Sequence, residues 1–175
     1  MNFRTKDLAE GAIFLALGLL IPYIFHATGI PGQVFLPMHI PVLLCGFMVG
    51  HPYGLIVGFI TPLLNAFLTG MPPIYPTAVA MSFELATYGL VAGWLYRSRG
   101  LNLFVSLIIS MVLGRVVSGM ANFILLGLAG QKYGFQAFLM SAFVKAFWGI
   151  IIQLIVIPVV IKTVGKARGE TNLNG

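Results

Sequence analysis

The sequence predicts an all-α integral membrane protein: one domain, residues 1–175, of six transmembrane helices with both termini in the cytoplasm. Three observations carry this. Hydrophobic residues make up 59% of the chain and charged ones only 8%, whereas a soluble domain carries roughly a quarter charged. A soluble fold of this size lacks the interior to hide so many apolar side chains, because surface outruns volume in small domains. Several apolar runs exceed the ~18 residues that make a helical span, and the cations fall on one side of the membrane once six spans are drawn.

The spans are expected at about 8–25, 36–50, 54–69, 77–96, 102–127 and 137–161, separated by "HATGIPGQ", "HPYG", "GMPPIYP", "RSRG" and "AGQKYG", which are rich in helix-ending residues. The start "MNFRTKDLAEGAIFLALGLL" has the basic front and apolar run of a signal peptide. It lacks a small-x-small cleavage site and reads as a retained first helix. The second and third spans are short, about 24 Å each at ~1.5 Å per residue, and contain Pro41 and Pro62. Broken or oblique ends are expected there, packed against protein.

Arg4, Lys6, Arg97, Arg99, Lys162, Lys166 and Arg168 fall on one face of this arrangement and only Lys132 on the other. The positive-inside rule makes that face cytoplasmic. The +6 balance is therefore topology and attraction to anionic lipid, not a nucleic-acid footprint. Cys45 is the only cysteine, so an intramolecular disulfide is excluded.

Glu84, Arg115 and Lys145 are the charged side chains placed well inside spans, on the fourth, fifth and sixth helices. Burying such a group costs roughly 3 kcal/mol on insertion scales, so each is expected to face the interior with a partner. Two readings are open. A structural network would have Glu84 neutralise one cation. A solute site would leave one carboxylate against two cations, a surplus that an anionic ligand neutralises. Tyr88 follows Glu84 by four residues, Trp148 follows Lys145 by three, and Ser118 and Asn122 share a helical face with Arg115. Together these suggest a polar funnel open to the outside. Asn65, flanked by Thr61 and Thr69, either joins the funnel or hydrogen-bonds to a neighbouring helix.

His26, His39 and His51 have no metal-ligand spacing, and as loop or helix-end residues they are expected to be solvated. No cofactor is implied. "GLAGQKYG" fails the pattern of a phosphate-binding loop, and no serine elbow or zinc-binding helix motif is present. Tyr53, Tyr75, Trp94, Tyr96 and Tyr133 have the look of an interfacial belt. On the first helix, Ala12 and Ala16, extended by Ala9 and Gly18, form a small-residue stripe that lets another helix approach closely.

The runs "AIFLA", "FLPMHIPVLLCGFMVGHPYGLIVGFITPLLNAFLTGMPP" and "MSFELATYGLVAGWLYR" resemble the S components of energy-coupling factor transporters, most strongly over 35–96. The resemblance implies a vitamin-uptake subunit in a prokaryotic cytoplasmic membrane. Such a subunit works with a transmembrane coupling subunit and two cytoplasmic ATPases. Ala12 and Ala16 match the docking surface for the coupling subunit. The ligand site is implied at the later helices and at the loops 29–37, 70–76 and 129–135. The pantothenate type is the first choice, because a carboxylate suits a cation surplus. A pyridoxine or hydroxymethylpyrimidine carrier is the alternative, with a neutral ring held by Glu84, Asn122 and an aromatic. Two other classes are weaker. A small membrane enzyme using Glu84 lacks a partnered nucleophile, and a channel-like oligomer lacks a continuous polar path.

Overall fold

A computed structural model describes residues 4–29, 32–131 and 133–167. Every regular element among them is helical: α1 (Thr5–Ala27), α2 (Gly32–Phe35), α3 (His39–Met48), α4 (His51–Thr69), α5 (Ile74–Ser98), α6 (Leu103–Leu128), α7 (Phe135–Val144) and α8 (Phe147–Ala167). Of these, α1, α4, α5, α6 and α8 are long and apolar enough to cross a membrane. Lys132 and Arg168, and Ile30 and Pro31 of the first loop, lie outside the described residues.

Two of the expected spans take a different form. The second, drawn at about 36–50, is the ten-residue α3, only about 15 Å of helix at ~1.5 Å per residue. Leu36, just before it, has a left-handed backbone (φ 53°) that α-helix cannot continue through. Pro41 does not break α3, because it falls in the first turn, where the missing N–H has no helical partner to lose. The sixth span, drawn at about 137–161, is divided at Lys145 and Ala146 into α7 and α8. Lys145 lies on the outer side of the bundle there, with Phe143, Val144, Phe147 and Trp148 exposed around it.

The third span is longer than expected. "HPYG" is not a break: Gly50 (φ 127°) ends the turn, and Pro52 sits in the first turn of α4. The helix then runs unbroken through Pro62 to the left-handed cap at Gly70. At the start of α6, Asn102 caps the helix by accepting from the Phe104 N–H at 2.8 Å. α5 has wide π-type turns at both ends, and Tyr75 is non-helical within the first.

The centre of the bundle is built on glycines. A Cβ on Gly46, Gly54, Gly58, Gly89 or Gly93 would fall within 3.0 Å of the backbone of a neighbouring helix. Gly54–Gly58 on α4 and Gly89–Gly93 on α5 are each four apart, so two GxxxG faces bring these backbones into contact. On α1, Gly11 seats on Tyr53 and Gly18 on Thr61, so α1 and α4 run side by side in the same direction. Gly18 thus belongs to the packed face of α1, and Tyr53 is buried instead of standing in an interfacial belt. Ala9, Ala12 and Ala16 are exposed on another face of α1.

The helix directions gather cations at one end. Arg97 donates to the Met48 carbonyl, Ser98 meets His51 at 3.5 Å, and Ile161 packs in one core cluster with Leu103 and Phe47. Arg4, Lys6, Arg97, Arg99, Lys162 and Lys166 therefore share an end of the bundle. The C-terminal ends of α1, α4 and α6 lie at the other.

Candidate functional site

Three helices converge on one carboxylate. Glu84 on α5 is 3% exposed and faces α3 and α6. Arg115 Nη1 of α6 stands 3.0 Å from Glu84 Oε1. His39 Nε2, at the start of α3, is 3.4 Å from the same oxygen. Tyr88, one turn along α5, donates its hydroxyl to it at 3.3 Å and meets the His39 ring edge-on at 5.3 Å. Ser118, one turn along α6 from Arg115, adds a further polar contact to Glu84.

Each side chain is held in place by its helix. Gly114 brings α6 close to Tyr88: a Cβ there would overlap the phenol ring. His39 hydrogen-bonds through its backbone N–H to the Leu36 carbonyl at 3.1 Å, which ties the strained Leu36 turn to the cluster. The buried residues of α6 run from Leu103 to Arg115 and end there. Past Arg115 the helix leaves the packed bundle, and the Tyr75 hydroxyl donates to the Leu125 carbonyl beyond. Arg115 therefore lies at the base of the loosely packed half of the molecule.

The pairing leaves part of the guanidinium unused. Arg115 Nε and Nη2 are buried without a hydrogen bond, and the Tyr88 hydroxyl lies near the guanidinium. Burying a charged donor without an acceptor is costly. His39 Nδ1 is likewise buried and unpaired. With Nε2–H turned toward Glu84, this nitrogen is an acceptor in the neutral ring.

The structure brings together Glu84, Tyr88 and Arg115, and not the other expected residues. Lys145 is exposed at the α7–α8 turn and is not among the partners of Glu84. Trp148 is 59% exposed and packs edge-on against Phe147. Asn65 is buried away from the cluster, donating to the Gly18 carbonyl at 3.0 Å and the Thr61 carbonyl at 3.1 Å, so it ties α4 to α1. Asn122 is half-buried and bonds to the Ser118 carbonyl within its own helix at 2.9 Å. The cluster itself is closed to solvent, not the wall of an open funnel. The open groove of about 510 Å³ lies farther along α6, lined by apolar residues such as Phe123, Ile124 and Leu128.

His39 is the residue that sequence reasoning missed. It stands at a helix start, as expected, but is 1% exposed because α3 begins inside the bundle. Its approach to Glu84 had one legible signal, a lone polar side chain between Pro37 and Pro41 in an otherwise apolar run. Among the described residues no group of three His, Cys, Asp or Glu gathers in metal-binding geometry.

A family model of the ECF transporter substrate-specific component matches residues 6–161. No curated protein and no solved structure matches the chain.

Proposed function

The chain belongs to the substrate-specific components of ECF transporters, and we propose that it binds a vitamin or vitamin precursor, pantothenate first, at the Glu84–Tyr88–Arg115 cluster. The family is one of multi-pass transporter subunits that bind a small molecule within a larger complex, not of enzymes. The observation that carries the ligand reading is the buried, unpaired Nε–Nη2 edge of Arg115. That edge is a planar two-donor fork, the geometry that receives a carboxylate in bidentate fashion. Among the described residues the exposure of Lys145 leaves Arg115 as the buried cation for the ligand, so the cation surplus no longer supports the choice and the fork does.

A second reading has its own support. Glu84 already neutralises Arg115, and a balanced cluster also accepts a neutral ring such as pyridoxine or hydroxymethylpyrimidine. Titration calorimetry of the purified protein with each of the three compounds separates the two. Pantothenate is expected to bind saturably. Binding of pyridoxine or hydroxymethylpyrimidine in its place would favour the neutral ring.

In this reading the protein sits in a prokaryotic cytoplasmic membrane with its basic end inside, and hands solute on with a coupling subunit and two ATPases. Six crossings fit the helix directions. Because α1 and α4 run the same way, a return between them is required, and α2 and α3 are the segments available for it. Topology is checked by labelling in a Cys45→Ala background. Ser98→Cys is expected to react only from the cytoplasm and Gln131→Cys only from outside. Labelling of both from outside would refute the arrangement.

A further inference from the structure

Gln153 on α8 is fully buried, and neither its amide nitrogen nor its amide oxygen has a hydrogen-bond partner. The inward face of α8 is Gly149, Gln153, Ile157 and Ile161, one turn apart. A Cβ on Gly149 would meet Leu36 Cγ at 2.8 Å. Farther along, Ile157 and Ile161 pack with Leu43, Leu44 and Phe47. α8 and α3 therefore run in the same direction, in step. Gln153, one turn past Gly149, comes level with His39, one turn past Leu36. That is the level of Glu84, since His39 touches it.

The other buried amide of a long helix behaves differently. Asn65 spends its N–H groups on two backbone carbonyls and joins two helices, whereas Gln153 joins nothing. A polar side chain buried in this way without a partner is costly, and native bundles keep few of them. Arg115 Nε and Nη2 and His39 Nδ1 are unpaired in the same part of the interior.

We propose that Gln153 is a specificity-determining residue of the binding site, whose carboxamide receives a neutral ligand group that both donates and accepts, an amide or a hydroxyl. The proposal rests on the reading of the Arg115 cluster as the ligand site, and it adds a second pole to it. The ligand then carries an acceptor, best a carboxylate, for the Arg115 fork and an amide or hydroxyl for Gln153. A molecule with only one of these poles leaves the other group unpaired, and this is how the site rejects analogues.

The test uses the full-length protein in detergent and the variant Gln153→Met, which keeps the shape of the side chain and removes its polar atoms. Without ligand, the variant is expected to unfold about 2–4 °C above the wild type, because an unpaired amide is gone. With pantothenate as the probe, its Kd is expected to rise about 10-fold. Ile157→Met, one turn away on the same face, is expected to leave that Kd within about twofold. Gln153→Asn, which retracts the amide by one methylene, gives a second variant with the same expected loss of affinity. A lower ligand-free Tm for Gln153→Met would overturn the proposal, since the amide would then be holding the bundle together. Wild-type-like affinity in both Gln153 variants would also overturn it. Failure of the wild type to bind pantothenate, pyridoxine or hydroxymethylpyrimidine would instead overturn the vitamin reading, and the ligand class assigned to Gln153 with it.

Discussion

Gly89→Val is expected to leave no folded monomer in a size-exclusion profile. The added Cβ would fall within 3.0 Å of the Gly54 backbone, which unlike a side chain has no other rotamer to adopt. α4 and α5 would have to separate, and with them the helix that carries Glu84. A loss above ~4 kcal/mol follows, in the range reserved for severe core disruption. The contrast is Gly127→Ala in α6, where a Cβ meets nothing within 4 Å. That variant is expected to hold or gain stability, by up to about 1 kcal/mol from helix propensity alone. Comparable loss in both variants would mean that close backbone contact is not what holds the bundle.

Ala12→Trp and Ala16→Trp are expected to abolish uptake in cells while leaving binding to the isolated subunit within about twofold. Both alanines are exposed on α1, away from the face where Gly11 and Gly18 seat on α4. Bulk at these positions meets neither the core nor the Glu84 cluster. It blocks only a helix approaching from outside, for which small residues make room. The pair of measurements is radiolabelled uptake and calorimetry on the same variants. Equal loss of binding and uptake would remove the docking role.

Much of this architecture was legible because it follows from solvation. Long apolar runs mark α1 and α5 to within three residues at each end and α6 to within one, and the basic side chains mark one end of the bundle. The grouping of Glu84, Tyr88 and Arg115 was legible too, because a charge in an apolar helix must find a partner. What stayed hidden depends on contacts between distant segments. The burial of His39 follows from α3 beginning deep in the bundle, which depends on the Leu36 turn and on Gly149 making room for it. The exposure of Lys145 follows from the 143–148 segment lying at the outside of the bundle with only Ala146 turned inward, inside a run that reads as one continuous span. The stripe on α1 was assigned to one face, yet Gly18 and the alanines point to two, because four-residue spacing does not say which side a neighbour occupies. The GxxxG faces of α4 and α5 carried a readable signal that the stripe on α1 overshadowed.

The central claim, that Arg115 receives a ligand and is not merely paired to Glu84, is tested most directly by Arg115→Gln combined with Glu84→Gln. The two amides remove both charges together and leave neither one buried alone, so the fold is expected to survive. A buried charge-assisted contact contributes roughly 1.5–3 kcal/mol, so its loss predicts pantothenate binding weaker by about 10- to 100-fold in titration calorimetry. Near-normal affinity in the folded double variant would contradict the account and make the Glu84–Arg115 pair a structural one.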